Sequence, residues 1–352
     1  MTYGAPFLGS FGFGHNGGPP LDGLGRLGFR TFDSVRTRDM RMTDSAGVFL
    51  QSELERLDPI LHEPLAGYTY LRDMPLRQDV TIADEASSFA SLGYAAAGGI
   101  NPTGVSWVGK TSTAITGIQA DVGKVVTPLN LWAMELAYTI PELESSIKVN
   151  RPIDRVKLDG LNLKANQDAD QISYVGDATV GSFGLLNSPD VVATNASGTF
   201  ASYLPGSGTP NQAAILAIFN AGLMSAYAAS GYTIVPNKVG LPPIQYGALQ
   251  QTVSSAGSVS ILEYLKKNTV ASSMNGVDLE IVPMKWAVGR GVGGTDRMVF
   301  YTQDESRVRL PITPMQNTPI QYRGLHMLTY YYRRIGAVEI TNSQLVAYID
   351  GI

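Results

Sequence analysis

Gly104, Gly109, Lys110 and Thr111 stand at the G-x-x-x-x-G-K-T spacing of a phosphate-binding loop, the sharpest chemical signal in this chain. In such a loop, backbone amides and the lysine converge on phosphate oxygens, which requires a buried strand before the loop and a helix N-terminus after it. Here the approach is AAAGGINPT and the exit is TSTAITGIQADVG, β-branched and broken by glycine, so neither flank fits. No apolar strand ending in a magnesium-binding aspartate follows at a convincing place. The residues favour a loop within a β-rich excursion, with a phosphate-loop ATPase as the alternative from a different class.

Other spellings of chemistry dissolve in the same way. Gly12, Gly14 and Gly17, and again Gly23, Gly25 and Gly28, match the dinucleotide fingerprint, but neither triplet follows a strand, and chance matches are expected in a chain with 38 glycines. Their use is backbone freedom. His15, His62 and His326 are far apart and lack a metal-ligand spacing, and Pro64 stops the helix that His62 and Glu63 would need in a zinc protease. The chain has no cysteine, which excludes disulfides, thiolate metal sites and cysteine nucleophiles. No catalytic constellation, cofactor site or metal site emerges. Tyr330, Tyr331 and Tyr332 followed by Arg333 and Arg334 could stack bases or touch phosphates, but alternation along a structural strand explains them better.

The composition agrees with a protein whose surfaces are covered by partners. Charged residues make up 16% of the chain, below the roughly 25% of average soluble proteins. A net charge of -4, from 26 basic and 30 acidic residues, argues against a dedicated nucleic-acid binder. The N-terminal segment lacks the basic region and apolar run of a secretory signal, so synthesis in a cytoplasm is expected. The charge-free stretch between Asp190 and Lys238 reads as a buried helix carrying Leu216, Phe219, Leu223 and Tyr227, rather than a membrane span.

Along the chain, residues 1–46 are rich in Gly, Phe and Arg and read as an extended arm. Phe49, Leu50, Leu54, Leu57 and Leu61 predict a short amphipathic helix closed by Pro64. LRDMPLRQDVTIADE alternates like a strand, and a Gly- and Thr-rich β-excursion follows to about residue 127. Asn130 is a cap for a helix over LWAMELAYTI, Pro141 opens ELESSIKVN, and Pro152 opens a long helix. That helix runs to about residue 175, roughly 36 Å, with Val156, Leu158, Leu161, Ala165, Ala169 and Ile172 as its stripe and Arg155, Lys157, Lys164, Asp168 and Asp170 free to face out. Beyond a Ser/Gly/Pro-rich loop, helices over residues 212–235 and SILEYLKKN alternate with strands YTIVP, VDLEIVPM and RMVFYT, and the last forty residues are β-branched and aromatic. The sum is an α+β architecture.

FLQSELERLDPILHEPL, the stretch from TAITGIQADVGKVVT to QDADQISYVGD, and GDATVGSFGLLNSPDV resemble, in sequence and order, a family of tailed-phage major capsid proteins. The carrying motif is the long helix ending in Gly176 and Asp177, followed by Gly184, Leu185, Leu186 and Asn187. The resemblance covers residues 47–191 and implies the Hong Kong ninety-seven capsid fold. It implies an N-terminal arm (1–46), a first part of the peripheral domain (47–191) with an extended loop (about 74–128) and spine helix (about 152–175), an axial domain (192–275), and C-terminal strands returning to both domains (276–352). It further implies a non-enzymatic subunit that assembles into hexamers and pentamers of an icosahedral virion head in the host bacterial cytoplasm. That head encloses double-stranded DNA that the subunit touches without reading sequence.

The arm is too short and glycine-rich to be the coiled scaffolding segment of many relatives, so a separate scaffolding protein, or none, is implied, with a portal and a decoration protein as further partners. Some relatives crosslink a lysine to an asparagine; Lys110 sits in the extended loop, but no motif supports that role. Glu53, Arg56, Trp107 and Lys110 are the inter-subunit contact candidates, by their place on the predicted helix and loop. An encapsulin-like nanocompartment shell protein and a virion decoration or fibre protein are the remaining alternatives.

Overall fold

The computed structural model describes residues 65–96, 110–111, 117–149, 153–204, 211–252 and 259–352. The chain divides into two units, Met1–Leu65 and Ala66–Ile352, and the fold described is that of the second. The expected arm and first amphipathic helix, with Glu53 and Arg56, lie outside the described residues, as does Trp107.

The elements run in the order α1 (Tyr70–Asp73), β1 (Leu76–Arg77), β2 (Ala86–Ala96), β3 (Ile118–Thr139), α2 (Ile140–Lys148), α3 (Ile153–Tyr174), β4 (Gly176–Asp177), β5 (Ser182–Phe183) and β6 (Ala193–Asn195). Then come α4 (Phe200–Tyr203), α5 (Gln212–Ala229), β7 (Lys238–Leu241), α6 (Pro243–Ala248), α7 (Ile261–Asn268), α8 (Val270–Asn275), β8 (Glu280–Pro283) and β9 (Arg297–Tyr301). The chain closes with β10 (Val308–Pro311), β11 (Gln316–Asn317), β12 (Gln321–Arg323), β13 (His326–Gly336), β14 (Glu339–Ile340) and β15 (Ala347–Asp350).

A sheet in the order β6-β15-β9-β7-β8 separates two cores. Every residue of β7, β9 and β15 is buried, and because side chains alternate across a strand, each face is apolar. Met298, Phe300, Val239, Leu241, Ala347 and Ile349 face the core built on α5, whereas Val299, Tyr301, Tyr348 and Val282 face the core that holds Tyr174, Leu185 and Leu186. Helix α5 is long and apolar enough to cross a membrane by length and composition, but Ile215, Phe219 and Leu223 are fully buried on it, as expected of a core helix. Gly222 lets it approach the sheet: a Cβ there would come within 2.2 Å of the Phe300 ring.

Helices α2 and α3 form over the segments that the sequence predicts. Thr139 caps α2 by accepting from the Glu142 amide, the Glu142 carboxylate accepts from the Thr139 amide, and Pro141 lies in the first turn. The long helix begins at Ile153, and at 1.5 Å per residue its 22 residues span about 33 Å. At its C-terminus the amides of Leu185 and Leu186 return to the carbonyls of Ser173 and Tyr174, each at 2.9 Å, supplying partners that a helix end otherwise lacks. The return is possible because Gly176 adopts φ +72° and because Gly184 packs on the helix backbone, where a Cβ would lie 2.3 Å from the Tyr174 carbonyl carbon. Asn187 closes the loop by accepting from the Gly184 amide at 2.7 Å.

The structure corrects several expectations. LWAMELAYTI is not a helix but the second half of β3, which pairs antiparallel with β13 from Leu129↔Gly336 to Thr139↔His326. Its apolar residues suit either period, and a ladder over its full length outweighs local helix propensity. LRDMPLRQDVTIADE is extended only at β1; Pro75 follows the α1 turn, and Asp84 pulls residues 81–84 into a turn by accepting from the Thr81 amide and hydroxyl. The strand expected at YTIVP starts later, at Lys238, because Gly231 and Tyr232 take left-handed conformations to leave α5. Asp170 does not face solvent but is fully buried. Val156 is 48% exposed and lies off the buried stripe of α3.

Candidate functional site

The first half of β3 leaves the body of the protein with only β2 beside it, paired from Ala86↔Pro128 to Ala96↔Ile118. Side chains directly opposite in an antiparallel pair share a face. One face of this ribbon therefore collects Leu92 with Val122, Tyr94, Ile118 and Val126, each between 53% and 68% exposed. Lys124 stands on the same face between Val122 and Val126, and the other face carries the Phe89–Val125 pair together with Ser91, Gln119 and Asp121. A two-stranded ribbon is at best marginally stable alone in water. Burying a side chain of this size is worth roughly 1.5–3 kcal/mol, so five exposed apolar side chains on one face call for a covering partner.

The ribbon is held at its base by buried charge. Glu339 on β14, fully buried, pairs with Arg309 Nε at 2.6 Å and Arg77 Nη1 at 3.1 Å, and accepts from the Ser87 hydroxyl at the start of β2. Arg77 also pairs with Asp79, which together with Glu339 holds its guanidinium pKa above the ordinary value. Arg334 on β13 donates to the carbonyls of Ile82 (2.7 Å) and Leu129 (3.0 Å), on either side of the ribbon. Strands β1, β2, β10, β13 and β14 are thereby tied at one point.

A second buried cluster joins α1, α3, β7 and β9. Asp73 forms a two-point ion pair with Arg72, lies 3.4 Å from Lys238 Nζ and accepts from the Tyr174 hydroxyl, while its carbonyl accepts from Tyr301 at 2.9 Å. Lys238, 1% exposed, also reaches the Arg72 carbonyl, Gln303 and Glu280. Burial and the neighbouring Asp73 carboxylate push the Tyr174 hydroxyl pKa far above the ordinary tyrosine value. Asp170 completes the junction by accepting from the amides of Thr69 (2.6 Å) and Tyr70 (3.0 Å) and from Trp286 Nε1 (2.7 Å). These clusters position elements. Nothing in sequence spacing could have assembled them, because their members are up to 262 residues apart.

Of the sequence candidates, Lys110 lies with Thr111 in an exposed turn, and the rest of the phosphate-loop spelling lies outside the described residues. Arg333 and Arg334, weighed as contacts for nucleic acid, do not lie open on the surface: Arg333 is 5% exposed, and Arg334 holds the ribbon base. Among the described residues, no three His, Cys, Asp or Glu side chains are grouped to hold a metal ion.

The sequence matches the family model described as "Major capsid protein" over residues 104–352. The chain belongs to that family. The fold of this capsid protein is correspondingly similar to solved capsid structures. The capsid of Myoviridae Phage XM1 matches with a TM-score of 0.71 at 18% identity, over 88% of this chain and 100% of that one. The capsid of an empty GTA particle matches with a TM-score of 0.54 at 12% identity, over 84% and 94% of the two chains. Mycobacterium phage Ogopogo gives 0.54 at 14%, over 86% and 99%. None of the curated proteins matches the chain. The α+β architecture expected from the sequence is thus that of the Hong Kong ninety-seven type capsid fold, and this capsid protein is a structural shell subunit.

Proposed function

We propose that the subunit assembles with copies of itself, as hexamers and pentamers, into an icosahedral phage head enclosing double-stranded DNA, and that its work is association rather than catalysis. The row of Leu92, Tyr94, Ile118, Val122 and Val126 carries this reading, since these five apolar side chains share one face of the ribbon and are exposed in the single subunit. In this reading the ribbon is the extended loop and α3 the spine of a peripheral domain. The α5 core belongs to the axial domain, and the C-terminal strands return to both. Ordering extended segments costs roughly 1–2 kcal/mol per residue, and burial against neighbours offsets it on assembly.

The head forms in the host bacterial cytoplasm, with a separate scaffolding protein, a portal and a decoration protein as partners. DNA is touched without sequence readout. The exposed turn at Lys110, together with Trp107, Glu53 and Arg56, contributes inter-subunit contacts. Negative-stain electron microscopy of the protein, expressed alone and with a scaffolding protein, tests the proposal. Closed particles or tubes are expected. A monodisperse monomer under both conditions, with ATP hydrolysis lost in Lys110→Ala, would replace it with the nucleotide reading.

A further inference from the structure

Arg333 is a buried cation without an acid. It is 5% exposed on β13, donates to the Ala165 carbonyl, lies 5.6 Å from the centre of the Trp132 ring and leaves Nε without a partner. Its side-chain partner is the neutral Tyr70 hydroxyl; no carboxylate pairs with it among the described residues, and Asp168, whose charge it feels, is engaged by Trp132 Nε1 at 2.9 Å and Lys164 Nζ at 2.5 Å. A guanidinium offers five N–H donors, and arginine is almost never fully buried unless paired. The other buried arginine, Arg297, follows the rule through its two-point pair with Asp350.

The guanidinium lines an open cavity of about 200 Å³, together with Tyr70, Leu76, Gln78, Thr313 and Met315. Among the described residues, no acidic side chain lines this cavity. We propose that it is a carboxylate-binding site between subunits, entered by an Asp or Glu side chain of a second copy that pairs with Arg333. The inference rests on the shell reading, in which outer elements of each copy are covered by others. The chain carries 30 acidic against 26 basic residues, so acidic side chains are available on neighbouring copies. A phosphate on a DNA duplex is held on a broad rod and does not reach a recessed guanidinium, whereas a single carboxylate on a side-chain stem does. Pairing there is charge-assisted and can be two-pronged, which fixes orientation as well as adding affinity.

Cryo-electron microscopy of wild-type particles tests the site directly. A neighbour's carboxylate oxygen within about 3.2 Å of an Arg333 nitrogen is expected. Particles whose cavity holds only water, or a nucleic-acid phosphate, overturn the site while leaving the shell reading intact. A wild-type chain that forms no particles under any condition overturns both. Gln78→Glu offers a second measurement, since it places a carboxylate of the same chain on the exposed cavity lining. It should leave the subunit's melting temperature unchanged or raised while lowering particle yield about tenfold by competing with the neighbour. An unchanged yield also overturns the site.

Discussion

Trp286 Nε1 donates to the Asp170 carboxylate at 2.7 Å across 116 residues of sequence, fastening the loop after β8 to the long helix α3. The same carboxylate receives two backbone amides that start α1 and an ion pair from Lys285 at 2.8 Å. Asp170→Ala strands these donors, and Asp170→Asn removes the charge they surround. Loss of a buried, hydrogen-bonded charge costs about 3–5 kcal/mol. Urea unfolding of the subunit should show a fall of that size for Asp170→Ala and a smaller one for Asp170→Asn; equality of both with wild type would deny the junction its structural role.

Glu339 and Glu263 give a contrast between buried and exposed charge. Glu339→Ala leaves Arg77 and Arg309 without their shared partner inside the ribbon base, with an expected loss of about 3 kcal/mol. Glu263 pairs with Lys267 on the exposed side of α7, and its replacement by alanine should leave stability close to wild type, because solvent screens an exposed pair. Denaturant midpoints of the two variants decide the comparison.

Two glycines on either side of the C-terminus of α3 should respond in opposite directions. Gly184→Ala places a methyl against the Tyr174 backbone and should destabilise by more than about 3 kcal/mol. Gly160→Ala, inside α3 with open space around it, should stabilise by about 0.5–1 kcal/mol. Thermal melts of the two variants check both signs.

The ribbon face predicts a separation of folding from assembly. Val122→Asp with Val126→Asp puts charge on side chains already 65% and 56% exposed, so the subunit should melt within a few degrees of wild type. Particle formation, followed by light scattering and electron microscopy, should be lost. Normal particles from this variant would show that the face is not an assembly surface.

Alkaline pH should unfold the subunit partly through Tyr174. Burial and Asp73 raise its folded pKa far above the ordinary value, so its contribution is fully present below about pH 10 and is lost as pH rises toward the folded value. Above pH 10 the unfolded chain has released a proton that the folded chain retains, which gives a slope near -1.4 kcal/mol per pH unit. Tyr174→Phe should be less stable at pH 8, through loss of its hydrogen bonds to Asp73 and Thr69, and should reduce that slope by about one proton. Urea titrations at pH 8 to 11 measure both.

Local signals were legible where local chemistry decides the outcome. Pro141 and the long periodic segment announced α2 and α3, because helix starts and periodicity are properties of a few consecutive residues, while the loop through Gly176 and Gly184 was implied by the family resemblance. The order of these motifs carried the family resemblance, which the match over residues 104–352 bears out. The LWAMELAYTI segment shows the limit: its spacing fits a helix, and only β13, nearly two hundred residues further on, makes it a strand.

By itself, then, the sequence determined that this chain lacks cysteine chemistry and a convincing nucleotide or metal motif, that it mixes helices with strands, and that a long helix precedes a glycine-containing loop. Tertiary structure alone decided that Asp170 is buried, that Glu339 gathers Arg77 and Arg309, that Arg333 is enclosed without an acid among the described residues, and that five exposed apolar side chains share one face of a ribbon. The reason is physical: a cap is satisfied by neighbours in sequence, whereas burial, pairing of charges and exposure of a sheet face depend on which distant segments the fold brings together.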